Sequence, residues 1–324
     1  MTPEMNRRSF IKQTMAATTA SAIAVQIAGG SAPAAEEAPK AAAPADALPM
    51  GKIGKLQVSR VLLGGNQLTG YTHSRDMQFV VNLLRHYNTE AKLLETLAVA
   101  EQHGINTLSM NKHPQAQAIL QKHRKNGGKM QWILHPTTPL DPTMKNYEEE
   151  IRELIGDGAE ALYVWGCRSD ELVAKSKMDL LVKAVELSKK HGVPCGVGCH
   201  DLNVVVECEK QKVPCDFYIK TFHHHKYPTA PKPEQLKGVV AEVPGYWCRD
   251  PEKTIEVMKD VTKPWIAFKV MAAGTIKPQD AFRYAYENGA DHILAGMFDF
   301  EIQQDVSIAK GILGDLKRAR AWYS

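Results

Sequence analysis

Eight short apolar runs recur along the chain, and a stretch with helical spacing follows each one. They are VSRVLLGG (residues 58–65), NTLSM (106–110), MQWILH (130–135), ALYVW (161–165), PCGVGCH (194–200), DFYIKTF (216–222), WIAFKVM (265–271) and HILAGM (292–297). Between them lie amphipathic patterns such as EAKLLETLAVAEQHG (90–104) and MDLLVKAVELSKKHG (178–192), each closed by a glycine that stops a helix. Short strands that alternate with helices pair in parallel, under cover on both faces. Eight such units over about 270 residues define an α/β fold, the (β/α)8 or TIM barrel. A doubly wound sheet would need a phosphate loop after its first strand, and Leu63-Gly64-Gly65-Asn66 is not G-x-G-x-x-G. Two long insertions, residues 66–88 and 223–249, follow the first and sixth strands, on the face where barrels carry their chemistry.

The amino-terminal segment is not read as fold. Asn6-Arg7-Arg8-Ser9-Phe10-Ile11-Lys12 precedes a mild apolar stretch, and Ala32-Pro33-Ala34 offers a small-residue cleavage site. This pattern resembles the twin-arginine export signal. It implies the twin-arginine export machinery as a partner and a periplasmic or otherwise exported location. The expected organisation is a signal peptide over residues 1–34, an Ala/Pro-rich linker over 35–49 and a barrel domain over 50–324. The apolar stretch is too short for a stable membrane span. A net charge of +4, with basic residues spread along the chain, excludes a nucleic-acid stripe. The six cysteines include a C-x3-C pair, Cys195 and Cys199, which lacks zinc-knuckle spacing; most are expected to be buried small residues.

The strand ends nominate the chemistry. In IAFKV, with the outer side apolar under helices, Ala267 and Lys269 are expected to face the barrel mouth. The same parity in DFYIKTF turns Tyr218 and Lys220 inward. Two lysines on adjacent strands would lower each other's pKa and yield a nucleophile or general base. His135 ends strand three, His200-Asp201 ends strand five, and His223-His224-His225 follows strand six. Lys220, Lys269, His135 and Asp201 are therefore the catalytic candidates. His135, His200 and His224 are candidate ligands of a divalent metal.

GKIGKLQVSRVLLGGNQLTGY (51–71), AKLLETLAVAEQHGINTL (91–108) and HILAGMFDFEIQQDVSIAKG (292–311) resemble the aldo/keto reductases. The resemblance implies an NAD(P)-linked oxidoreductase barrel, with an Asp, a Tyr, a Lys and a His at strand ends. Those positions fall near Ser109, His113-Pro114, His135 and Trp165, so the catalytic tetrad is replaced. The loop Met297-Phe298-Asp299-Phe300-Glu301 is acidic where the family holds a phosphate, which argues against NADPH. Locally, FYIKTF and AFKVMAAG are similar to strands six and seven of deoxyribose-phosphate-type class I aldolases, whose lysines match Lys220 and Lys269. That likeness makes Lys220 the Schiff-base nucleophile.

The expected function is an exported enzyme acting on a small carbonyl or sugar-like substrate by lysine- or metal-assisted chemistry, of lyase, aldolase or isomerase type. The alternatives are an aldo/keto-reductase-like oxidoreductase with a rebuilt site and a non-catalytic binding protein on that scaffold.

Overall fold

The computed structural model describes residues 47–74, 77–236 and 248–324. The signal peptide over 1–34, nearly all of the 35–49 linker and part of the 223–249 insertion lie outside the described residues.

Eight parallel strands close into a barrel, as the eight apolar runs require. They are β3 (Val61–Gly64), β4 (Thr107–Asn111), β5 (Gln131–His135), β6 (Ala161–Val164), β7 (Cys195–Cys199), β8 (Phe217–Thr221), β9 (Trp265–Phe268) and β10 (His292–Ala295). Each pairs with its neighbours in sequence, and β10 closes on β3 through Leu294 opposite Leu62. The surrounding helices include α3 (Glu90–Gln102), α4 (Pro114–Lys125), α5 (Lys145–Gly156), α6 (Gly166–Ala174), α7 (Met178–Lys190), α8 (Leu202–Lys210), α9 (Pro251–Met258), α10 (Pro278–Glu287) and α11 (Asp299–Gly314). Two further helices, α1 (Asn66–Thr69) and α2 (Gln78–Tyr87), fill the insertion after β3. Gly104 (φ 88°) ends α3 and Gly192 (φ 80°) follows α7, as the helix-stop pattern predicts.

The sequence did not announce the amino-terminal hairpin, β1 (Met50–Ile53) with β2 (Leu56–Ser59). Its Ile53, Leu56 and Val58 pack against Leu62, Ile133, Ala161, Phe217, Ile219 and Ile266, in one buried cluster that fills the barrel. Asn106, just ahead of β4, accepts from Ser59 N (2.9 Å) and donates to Gln57 O (2.8 Å), which fixes the hairpin at the strands' amino-terminal end. The carboxyl-terminal tail is pinned at that end too. Asp291, fully buried, accepts from Arg320 (2.7 Å), Tyr323 N (3.0 Å) and Trp265 N (2.9 Å).

The two clusters also settle strand parity. Leu62, Ile133, Tyr163, Phe217, Ile219 and Ile266 belong to the interior, with Phe268 and Leu294 against them. Leu63, Leu134, Val197, Tyr218, Trp265 and Ala267 belong to the layer between strands and helices. The expected parity of β8 and β9 is therefore inverted. Phe217, Ile219, Ile266 and Phe268 face inward; Tyr218, Lys220 and Ala267 face the helices. The cause is volume. Gly196 lies opposite Phe217, and a methyl group there would sit 2.4 Å from its ring, so the small residues of β7 make room inside for the large ones of β8.

Candidate active site

The strands' carboxyl ends enclose a cavity of about 860 Å³. His200, directly after β7, stands in its wall. A Cβ on Gly166 would lie 3.2 Å from Cys199 N, and one on Gly198 would lie 3.0 Å from Gly166 N, so two glycines let the start of α6 approach β7. That approach brings Asp170 of α6 beneath His200. The Asp170 carboxylate accepts from His200 N (3.0 Å), Asp201 N (3.0 Å) and the His200 ring at Nδ1 (2.7 Å). With Nδ1 donating to a carboxylate, His200 turns Nε2 towards Lys269 Nζ, 2.9 Å away. Burial raises the Asp170 carboxyl to about 7, against the pull of the two backbone donors and the Lys220 charge. Asp170, His200 and Lys269 thus form a continuous hydrogen-bonded line that ends at the cavity.

Lys269 reaches the cavity by a route that strand parity does not describe. Phe268, the last residue of β9, already faces inward. Lys269 adopts φ 57°, the left-handed region, so alternation breaks and its side chain also enters the cavity. The histidine run holds this bend. The Lys269 carbonyl accepts from His223 Nδ1 (3.0 Å), while His223 Nε2 accepts from Cys248 N (3.1 Å). Burial pushes the His223 imidazole down to about 3, so it remains the neutral tautomer that these two bonds require. His225 Nε2 donates to Cys248 O (2.6 Å). His224 turns to α10, where Nε2 donates to Asp280 (3.1 Å) and Nδ1 accepts from Lys226 N (3.0 Å).

His135 lines the cavity at the end of β5. Its Nδ1 donates to Pro136 O (3.0 Å), its ring stacks on Trp165 (5.6 Å, 7°), and burial lowers its pKa to about 4. His73, from the insertion after β3, also lines the cavity, with Nε2 3.2 Å from Asn66 Nδ2. Its pKa falls to about 3 through burial, then through the nearby Lys269 and His200.

Three sequence expectations need correction. Lys220 does not enter the barrel mouth. It is 1% exposed within the layer between strands and helices, and Nζ donates to Thr221 O (2.8 Å). It is not among the residues that line the cavity, whereas Lys269 is. Asp201 accepts from Asn203 N (3.0 Å) as the cap of α8, 3.7 Å from Arg249, and does not line the cavity. His135 and His200 share the cavity, but His224 does not join them. Among the described residues no group of three or more His, Cys, Asp or Glu side chains is arranged to hold a metal ion. Sequence reasoning missed Asp170 and His73. The first sits inside a short helix with no motif; the second lay within an insertion already marked as significant.

Neither a protein-family model nor a curated protein matches this chain. Solved structures do. A protein from Pseudomonas aeruginosa described as a candidate aldo-keto reductase is 15% identical, with a TM-score of 0.56 over 83% of this chain and 98% of its own. A mutant of Gox0644, solved in complex with NADPH, is 11% identical, with a TM-score of 0.52 over 84% of this chain and 90% of its own. At these identities the likeness shows the fold alone, a TIM barrel. Ser109, His113, His135 and Trp165 all line the cavity.

Proposed function

We propose that the protein is an enzyme that forms an imine between Lys269 and a small carbonyl compound. The observation that carries this is the Asp170–His200–Lys269 line at the cavity wall. It has the form of an activated nucleophile: a reacting group hydrogen-bonded to a base, and the base oriented by a carboxylate. His200 Nε2 takes a proton from the Lys269 ammonium, and Asp170 stabilises the imidazolium that results. The freed amine lone pair attacks the carbonyl carbon. His200 returns a proton to the hydroxyl of the carbinolamine, which leaves as water as the C=N bond forms. His135, kept neutral by burial, stands in the same cavity as a further proton acceptor.

The charges lining the cavity speak against NADPH. Glu301 and Asp305 line the part of it next to β10, and Lys269 is the one lysine or arginine among the described lining residues. A 2′-phosphate would meet carboxylates without a cation. The twin-arginine-like pattern at Arg7 and Arg8 supports export of this enzyme, and Arg7→Lys with Arg8→Lys should then stop export through the twin-arginine route.

The test is borohydride trapping with small sugars and oxo acids, followed by peptide mapping. The expected adduct is on Lys269 and is absent in Lys269→Arg. No adduct with any of these compounds, or adducts confined to other lysines, would remove the imine role.

A further inference from the structure

We propose that the same cavity holds a second recognition site, built on Asp305 and Glu301 of α11, for a protonated amine carried by the substrate. The proposal rests on the cavity being the active site, and concerns what is bound there rather than the chemistry at Lys269.

Asp305 is the observation that requires explanation. On α11, Ile302, Val306 and Ala309 form the buried stripe that packs on the barrel. Asp305 interrupts that stripe. It is 5% exposed, yet it lines the cavity. No hydrogen bond or ion pair reaches its carboxylate among the described residues. Neither Asp305 oxygen is among the sealed, unpartnered polar atoms, so the carboxylate opens on the cavity and is available to a bound group. Here the neighbouring charge has the wrong sign: Glu301, one turn earlier, also lines the cavity and adds to the rise in the Asp305 pKa that burial begins.

The surroundings decide what the missing partner is. A pair of sugar hydroxyls needs acceptors and donors together. This part of the cavity offers acceptors. Glu301 takes Phe298 N (2.9 Å) with one oxygen and keeps the other. Elsewhere in the cavity lining, Thr69 donates its hydroxyl proton to Asn66 O (3.2 Å). The Gln67 amide is committed to backbone, donating to Gly64 O and accepting from Met297 N once its oxygen and nitrogen are placed to satisfy both. An ammonium group donates only, so it meets every atom on offer.

The experiment is titration calorimetry at neutral pH on the full chain carrying Lys269→Met, which removes the imine chemistry. The probes are D-glucosamine and ethanolamine, against their neutral counterparts D-glucose and ethylene glycol. The amines should bind at least roughly tenfold more tightly than the neutral compounds, the equivalent of one charge-assisted hydrogen bond. That preference should disappear in D305N and shrink in E301Q. Equal affinity for amines and neutral compounds, no binding of either amine, or an unchanged preference in both D305N and E301Q would overturn the proposal. Amine selectivity without imine trapping in the parent protein would sink the Lys269 chemistry alone; trapping without selectivity would sink this site alone.

Discussion

Asp305→Asn should make the empty protein more stable, and only at pH values near and above 6. Burial, then Glu301, raises the Asp305 carboxyl from 3.8 to about 6. A group whose pKa is raised on folding binds its proton more tightly in the native state. Its contribution is fully present below the unfolded value and is lost as pH rises through the folded one. The gap from 3.8 to about 6, at about 1.4 kcal/mol per tenfold change in proton affinity, corresponds to a penalty of about 3 kcal/mol at neutral pH. Asparagine removes the charge but leaves a buried amide, which retains a cost of about 1 kcal/mol. The net gain is then about 2 kcal/mol above pH 6, falling to zero or below near pH 4. Urea denaturation of both proteins from pH 4 to pH 8 reads this directly. An Asn variant that is less stable throughout, or whose advantage grows as the pH falls, would refute an unpaired carboxylate at this position.

Asp170→Asn should slow imine formation by about 10²- to 10⁴-fold in a folded protein, because an amide cannot accept all three donors that now converge on the carboxylate. A trapping rate within about twofold of the parent would remove Asp170 from the proton path. Lys220→Met should leave the adduct mapping to Lys269, since Lys220 lies behind the barrel wall; loss of every adduct would return Lys220 to the site. Gly196→Ala forces a methyl group to within 2.4 Å of the Phe217 ring. It should cost about 1–3 kcal/mol and lower the Tm by several degrees; an unchanged Tm would show that the interior is looser than described.

The fold was legible because every one of the eight apolar runs became a barrel strand, and helices separate them as the period change indicated. Which face of each strand looks inward was not. In a barrel both faces are buried, so hydrophobicity cannot distinguish them. The assumption that the outer face excludes charge failed at Lys220, which the layer beneath the helices accommodates near the Asp170 charge. Residue size held the missing information: Gly196 and Gly198 on β7 face Phe217 and Tyr163, and that pairing gives the parity of β8. Lys269 was placed in the mouth by an argument whose parity was wrong. It arrives there because its backbone bends at φ 57°, a bend that apolar patterning does not encode. The histidine run proved to be mainly scaffold: His223 and His225 tie the Lys269 bend to Cys248, and His224 ties β8 to α10. Asp170 was invisible because its role depends on two glycines, Gly166 and Gly198, that meet only in three dimensions.

The β1–β2 hairpin has a kinetic consequence. With Ile53, Leu56 and Val58 packed into the strands' amino-terminal end, the barrel is a blind well. Among the described residues, the hairpin closes that end, and the cavity opens at the strands' carboxyl ends. On the proposed reading, a compound whose ammonium end is anchored beside Asp305 and whose carbonyl end is joined to Lys269 would depart by reversing its entry, and a second reactant would arrive over its back. Removing the hairpin would not open a rear exit, because its three apolar side chains are part of the barrel's core and the interior would collapse or unfold without them.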